Sequence, residues 1–587
     1  MIINVCSAFA CLLFFLCAAN AGAMSVSLIP SVPPPAAVGT VITWNPQVSG
    51  QAEGTLWYRF RARRTGEDFR MFRDYGPESR FDWTVSEHEG TYEIEVAVRN
   101  LDTGDTAVSS SLYEITPLAG NSPLISKTNH PLVLYYSAPA CAAGSRMRVD
   151  FRGPDGIPHA TPYKRCGKGL TMNFYIAGLL EKTPYVVNHV IDTGSSFVRG
   201  PELTETTGEV TLAFAPYKVL TSTYKTGVLL QSNLSQPNLA TDLNGNLIWY
   251  YVGNVSSLTR PEKGGLFWGI YEDPNADPSH QIVREFDVAG NVLLETNAAR
   301  VNEQLAAMGK RQISGFHHEA RRMPDGKILV LGDVEQFLTD VQGPGAVDVI
   351  GDMILVLDKN LQVVWAWDAF DHLDTSRRAT LNETCKAVGG GCPPFYNAAV
   401  ANDWLHGNSL QLTPDGSILY SARHQDWVIK IDYANGSGSG DVLWRLGKDG
   451  DFTIESDDPY PWFSHQHDAN FEYADPTKLT VFDDGNVRYA SSQSAHSRGQ
   501  VIQLDEWNRT AKLVLNADLG AYADALGSAQ RLRNGDYHFD VGWIRGVNGE
   551  PDRGRSLEVD ALGNIVYEIE VDTPVYRSFR MRSLYEP

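Results

Sequence analysis

Histidines gather at three places in this chain, and each gathering opens a β-rich run. Phe316-His317-His318-Glu319 precedes the turn Pro324-Asp325-Gly326, His406-Gly407-Asn408-Ser409 precedes Pro414-Asp415-Gly416, and His465-Gln466-His467-Asp468 precedes Asp484-Gly485. One imidazole at a strand start is usually a satisfied structural group, but the same offset used three times aims several polar groups at one place. Aligned on their turns, the half-repeats put His318, Asn408, His467 and Ser528 at roughly equivalent positions on neighbouring units. The hairpin through Asp415-Gly416 returns Arg423 to the end where Asn408 began, so His406, Asn408 and Arg423 share one mouth. Alternation along a strand then faces His406 with Asn408 and His465 with His467, and turns His317 away.

A guanidinium, an amide and two or more imidazoles around one funnel suit a tetrahedral oxyanion, a sulfate or phosphate ester in transfer. A neutral imidazole can serve as nucleophile while a second gives a proton to the leaving oxygen. Spacing alone leaves His465 and His467 as rivals for the first task. No phosphate-cradling glycine loop or Walker-type lysine points to a nucleotide donor, and no carboxylate cluster or His-Glu-x-x-His spacing points to a metal, so no cofactor is expected. Each residue also has a plainer role available. Arg423 could pair between units, Trp404, Trp427 and Trp444 suit packing, and Ser528 suits a turn.

The elements that must position these groups are strands. From about 206 onward two kinds of turn alternate. One kind is Asn244-Gly245-Asn246, Pro324-Asp325-Gly326, Pro414-Asp415-Gly416, Asp484-Gly485 and Asn534-Gly535; the other follows strands ending at Asp287, Asp358, Asp432, Asp505 and Asp560. Five such pairs make five four-stranded units, and the leftover ends, 210–230 and 576–585, pair to close a sixth. The expected architecture is all-β, a six-bladed β-propeller over 206–587 preceded by two small immunoglobulin- or fibronectin-like β-sandwiches over 24–118 and 119–205. The first carries the alternating run Gly90 to Val98, and in the second Leu180 to Tyr185 resembles a tyrosine corner.

Residues 1–23 hold no Asp, Glu, Lys or Arg and end an apolar run in Ala21-Gly22-Ala23, which reads as a signal peptide cleaved after Ala23 and a secreted or periplasmic protein. No later stretch is apolar enough to span a bilayer. With Cys6, Cys11 and Cys17 in that segment, four cysteines remain as two local pairs, Cys141/Cys166 and Cys385/Cys392, expected as disulfides in an oxidising compartment. The net charge of −21 over 587 residues argues against nucleic acid or anionic membrane as partners.

Four motifs in order resemble the secreted arylsulfate sulfotransferases: Phe316-His317-His318-Glu319-Ala320-Arg321, Asp403-Trp404-Leu405-His406-Gly407-Asn408-Ser409, Ser421-Ala422-Arg423-His424-Gln425 and Gln466-His467-Asp468-Ala469. The closing Tyr576-Arg577-Ser578-Phe579-Arg580 is similar as well, and the resemblance covers about 210–587. It implies a six-bladed propeller that moves a sulfuryl group from an aryl sulfate donor to a phenolic acceptor, without a nucleotide, by a ping-pong mechanism through a sulfated histidine. It further implies His467 as nucleophile, His318 as acid/base, and His406, Asn408 and Arg423 as sulfate-binding groups, with Ser528 nearest to a family threonine. Cys385/Cys392 resembles, in spacing, a short-range disulfide of that family. The partners are then two small molecules, and a homodimer is allowed. Two other classes fit parts of the sequence: a quinoprotein-like dehydrogenase, from Trp-ending repeats such as Gly245 to Trp249, and a non-catalytic binding or adhesion scaffold.

Overall fold

The computed structural model describes residues 23–587 except 51–52, 225, 254, 274–276 and 387–396. The leader expected over 1–23 therefore lies, but for Ala23, outside the described residues, and so does Cys392.

The described chain is all-β, and helices are confined to connectors such as Ala298–Ala307. From residue 228 onward the strands form antiparallel sets of four. Val228–Asn233, Leu239–Asp242 and Leu247–Tyr250 join the last strand, Val575–Met581, which pairs with Val228–Asn233. The following sets begin at Ser257–Glu262, Phe316–Arg322, Gly407–Leu412, His467–Phe471 and Gly527–Arg531. Their first strands, with Val575–Met581, touch one another in order and return to the start. Each facing pair of sheets shares an apolar layer. Trp268, Ile270 and Val283 meet Phe316, Val330 and Leu355; Leu331, Ile354 and Trp367 meet Leu410, Tyr420 and Ile429; Trp444 and Leu446 meet Phe471 and Val481; Phe482 and Val501 meet Phe539 and Leu557. Large side chains fill these layers because a sheet presents every second residue to the same face.

Two turn assignments differ from the sequence reading. The segment Asp242-Leu-Asn-Gly-Asn246 is not a hairpin of the first kind. Asp242 Oδ1 accepts the backbone N–H groups of Asn244 and Asn246, as Asp287 Oδ1 does for Ala289 and Asn291 and Asp560 Oδ1 for Leu562 and Asn564. All three are Asp-capped turns of the second kind, with Gly245, Gly290 and Gly563 at positive φ. Residues 239–250 therefore belong to the sheet closed by the C-terminal strand, and the set starting at Ser257 is a unit of its own. Asp484-Gly485 is no hairpin either. The turn between His467–Phe471 and Lys478–Asp483 runs through 472–477, which leaves Asp484 at the end of the return strand, beside the histidines.

Ahead of this ring lie two smaller units. Strands between 25 and 116 form two facing sheets over Trp44, Phe60, Trp83, Val96 and Tyr113. One of these sheets continues, through the parallel pairing of Arg73 with Glu295, into the set starting at Ser257, giving nine strands in a row. Residues 124–206 form two more sheets around Tyr136, Val149, Phe174 and Val187, stapled by the Cys141–Cys166 disulfide. Here the Tyr185 hydroxyl accepts the Leu180 N–H at 2.9 Å, the contact expected of a tyrosine corner.

Candidate active site

The first strands of the ring carry the polar groups, and they are not regular. Between the pairs His317↔Leu331 and Ala320↔Val330 the two residues His318 and Glu319 bulge out; Asn408 bulges between Gly407↔Ala422 and Ser409↔Ser421. A third irregularity falls between His467 and Asn470, and a fourth at Thr259. Bulges re-aim side chains and cancel the simple alternation. His318, His406, His465 and Asp468 accordingly sit at φ between 51 and 55°, a left-handed conformation that non-glycine residues adopt at a cost. These repeated bulges bring the side chains together.

His318 lies against His406 with ring centroids 4.9 Å apart, His406 stacks on His424 at 4.7 Å, and His424 meets His465 at 5.6 Å. His406 Nδ1 is 2.8 Å from Asp403 Oδ2. His467 Nδ1 lies 2.7 Å from Asp484 Oδ2, and both residues are buried. Burial holds His467 well below the ordinary imidazole range, with Arg423, His406, Arg577 and His465 pushing the same way. Burial likewise pushes the Asp484 carboxyl well up, helped by Asp483 and Asp524 and opposed by Arg423. The pair is thus a neutral imidazole joined through Nδ1 to a buried carboxyl, and its Nε2 makes no hydrogen bond among the described residues.

His465 is held differently. Its backbone N–H donates to Asp426 at 2.7 Å, its Nδ1 is 3.0 Å from the same carboxylate, and its Nε2 meets Glu383. Although burial disfavours its charge, those two carboxylates raise its pKa. Nε2 is thus engaged by Glu383, and Nδ1, buried without a hydrogen bond, lies against the Asp426 carboxylate.

His317 was expected to face away, and it does not face solvent: it is buried, with Nδ1 2.9 Å from His318 Nδ1. The bulge immediately after it turns His318 back onto it. The far nitrogen, Nε2, lies 3.2 Å from Asp352 and 3.6 Å from Asp333. Burial opposes the charge on His317, but Asp333, Asp352 and Glu272 lift its pKa to about 9. His318 is held well below the ordinary range by burial and by His406, His317, His467 and Arg577.

Asn408 donates through Nδ2 to the Gln466 carbonyl at 2.7 Å and accepts from the Asp468 N–H at 3.4 Å, so it clips its strand to the next one. Arg423, in the turn Arg423–Gln425 after the return strand, donates to the Asp524 carbonyl at 2.8 Å and to His424 Nε2, while its Nε is buried without a hydrogen bond. Ser528 is spent on the backbone of the closing strand, donating to Ser578 O at 2.8 Å and accepting from Ser578 N at 3.1 Å. The structure thus gathers His318, His406, His467 and Arg423 around one another, makes Asn408 their clip, and turns Ser528 to framework.

Residues missed by the sequence reading complete the cluster. The buried Arg577 guanidinium reaches the carbonyls of Asn408 and Thr259 and the Glu319 carboxylate, and the Tyr576 hydroxyl donates to His318 O at 3.1 Å. Two groups of possible metal ligands share His424, Glu383/His424/His465 and Asp403/His406/His424. Both His424 nitrogens are already used, Nδ1 on the Asp403 carbonyl and Nε2 on Arg423, and a guanidinium at that point repels a cation. The third group, His317/Asp333/Asp352, is an ion-pair triad. A separate cleft of about 1390 Å³ opens between the N-terminal units and the ring, bordered by Arg73, Tyr135, Tyr175 and Arg284; none of the expected site residues lines it.

A largely buried cluster of imidazoles and guanidiniums on a ring of sheets has the hydrogen-bonding chemistry that suits a small oxyanion. The arylsulfotransferase (ASST) family model matches residues 185–579, and the chain belongs to that family, whose members are aryl-sulfate sulfotransferases that use no nucleotide sulfate donor. No curated protein matches. Among solved structures, chicken CNTN1 FN1–FN3 domains are similar at 12% identity over 30% of this chain and 69% of that one, with a TM-score of 0.13. The chicken interferon gamma receptor alpha chain is similar at 8% identity over 31% and 98%, also with a TM-score of 0.13.

Proposed function

We propose that this protein transfers a sulfuryl group from an aryl sulfate ester to a phenolic acceptor in two steps, through a sulfated His467. The observation that carries this reading is the contrast between two neighbouring histidines: His467 is neutral with one nitrogen on Asp484 and the other unengaged, whereas both nitrogens of His465 lie against carboxylates that raise its pKa. His467 Nε2 attacks sulfur, and the S–O bond to the phenol breaks. As the ring becomes cationic, its Nδ1 proton is drawn to Asp484, which offsets the new charge where solvent is excluded. His318 protonates the departing phenolate, and His406 and Arg423, ordered by Asn408, bind the sulfuryl oxygens. The acceptor phenol reverses these steps.

The framework belonging to this reading is a six-bladed propeller over 206–587, supported by six four-stranded sets with successive shared cores, and two β-sandwiches over 24–118 and 119–205. The protein acts outside the cytoplasm, a reading that rests on the charge-free leader. The test is to mix the protein with a chromogenic aryl sulfate and no acceptor, and to look for a stoichiometric burst of phenol and a sulfated peptide containing His467. Steady transfer with an acceptor, but neither burst nor label, rejects the covalent intermediate.

A further inference from the structure

We propose that His317 is the proton store for His318, so that the pair acts as a two-ring relay: His318 serves as acid in the donor half-reaction and as base in the acceptor half-reaction without carrying a charge itself. This rests on the sulfuryl-transfer reading above.

The geometry admits one proton between the two rings, because the facing atoms are both Nδ1, 2.9 Å apart. With the proton on His317 Nδ1, His317 is an imidazolium whose Nε2–H faces Asp352 and Asp333, and neutral His318 keeps its own proton on Nε2, pointing away from its partner. That state is an acid. With the proton on His318 Nδ1, His317 is neutral and His318 presents a bare Nε2, which is a base. Moving one proton over a single hydrogen bond interconverts them.

The balance closes in each half. In the first, His467 Nε2 bonds to sulfur as the sulfur–oxygen bond breaks; the phenolate takes the His318 Nε2 proton, and His318 Nδ1 takes the proton of His317. His317 passes from cation to neutral as the anionic ester becomes a neutral phenol plus the zwitterionic sulfated ring. In the second, the acceptor gives its proton to His318 Nε2, its oxygen bonds to sulfur, the sulfur–nitrogen bond breaks, and the shared proton returns to His317. The surroundings fit this division. Half-buried His318 is kept neutral by its neighbours, while the carboxylates that favour a cation, Glu272, Asp333 and Asp352, are gathered behind His317, with Asp403 and the Asp352-bonded Tyr420 further along the same cluster. His317 contacts no sulfuryl group in this scheme; it is a positioning residue acting through His318.

The experiment compares H317Q with wild type on a series of aryl sulfates from 4-nitrophenyl to phenyl sulfate, reading kcat/KM against the acidity of the phenol. A good leaving group needs little proton assistance. General-acid catalysis is worth about 10²- to 10⁴-fold, so H317Q should lose about 10²-fold on phenyl sulfate but less than about threefold on 4-nitrophenyl sulfate, steepening the dependence. Wild-type activity on phenyl sulfate should fall as pH rises through about 9, where His317 loses its store, and that limb should be weak on the nitrophenyl ester. D333N, which keeps both rings and removes one of the carboxylates behind His317, should move the limb to lower pH. An equal loss on every donor, or no change in slope and limb in both variants, overturns the relay. If wild type forms no sulfated intermediate with 4-nitrophenyl sulfate, it is the covalent reading itself that fails.

Discussion

Replacing Asp484 by Asn isolates the nucleophile's support from the rest of the cluster. Asp484 Oδ2 is 2.7 Å from His467 Nδ1, and both groups are fully enclosed. A hydrogen bond involving a charged group contributes about 1.5–3 kcal/mol, or roughly 10- to 150-fold in rate if it is expressed in the transition state. An amide adds a second penalty, since its N–H can donate to Nδ1 and drive the ring proton onto Nε2, the atom that must attack. In a triad the same change costs about 10⁴-fold. The expected fall in the rate of sulfation is therefore about 10²- to 10⁴-fold, measured as the phenol burst after rapid mixing with 4-nitrophenyl sulfate. Stability should not fall with it. The folded Asp484 carboxyl titrates above its unfolded value, so the native state is disfavoured progressively as pH rises from the ordinary carboxylate range toward that higher value, and a neutral amide removes this loss. A burst within about threefold of wild type in D484N would refute the assignment of His467 and Asp484 as a working pair.

Other outcomes follow from the same geometry. H465N should retain a burst but lose about 3–5 kcal/mol of stability, because Glu383 and Asp426 are left without their buried cation; chemical denaturation checks this. His317, at about 9 when folded against about 6.5 unfolded, contributes stability that is complete below about 6.5 and disappears as pH rises through about 9, at most about 3 kcal/mol, visible as the difference between wild-type and H317Q unfolding curves across that window. Trp367→Ala should cost about 3–5 kcal/mol, since this side chain fills the layer between two sheets and its Nε1 donates to Gly440 O; melting with unchanged residual specificity is the check. Reducing Cys141–Cys166 should loosen the second unit by about 2–5 kcal/mol while leaving the burst amplitude intact.

Much of the ring was legible because its turns are written in residues with strong conformational preferences. The Pro-Asp-Gly hairpins at 324–326 and 414–416 and the Asp-capped turns at 287–291 and 560–564 announced strands on either side. At 242–246 an Asn-Gly pair does not by itself make a hairpin of the first kind. The discriminating signal was the Asp two residues earlier, which accepts backbone N–H groups across the turn. Repeat equivalence brings His318, Asn408 and His467 together, and the length of the Asp415-Gly416 hairpin adds Arg423 beside His406. What alternation could not supply was direction, because bulges at His318–Glu319 and Asn408 offset the pleat and turned His317 inward. Asp484 was hidden by its neighbour Gly485, and the caging of His465 depends on Glu383 and Asp426, which are far from it in sequence or set in a turn whose geometry is tertiary.

The sheet that begins at Val228 is completed by Val575–Met581, more than three hundred residues later in synthesis, and that has a consequence in time. Tyr576 and Arg577, which brace His318, Asn408 and Glu319, lie on that closing strand. Every histidine of the cluster is synthesised before the groups that fix its orientation. A chain released before Val575 would own all the clustered histidines and still lack the brace that aims them, so the cluster is set only once that strand has joined the sheet.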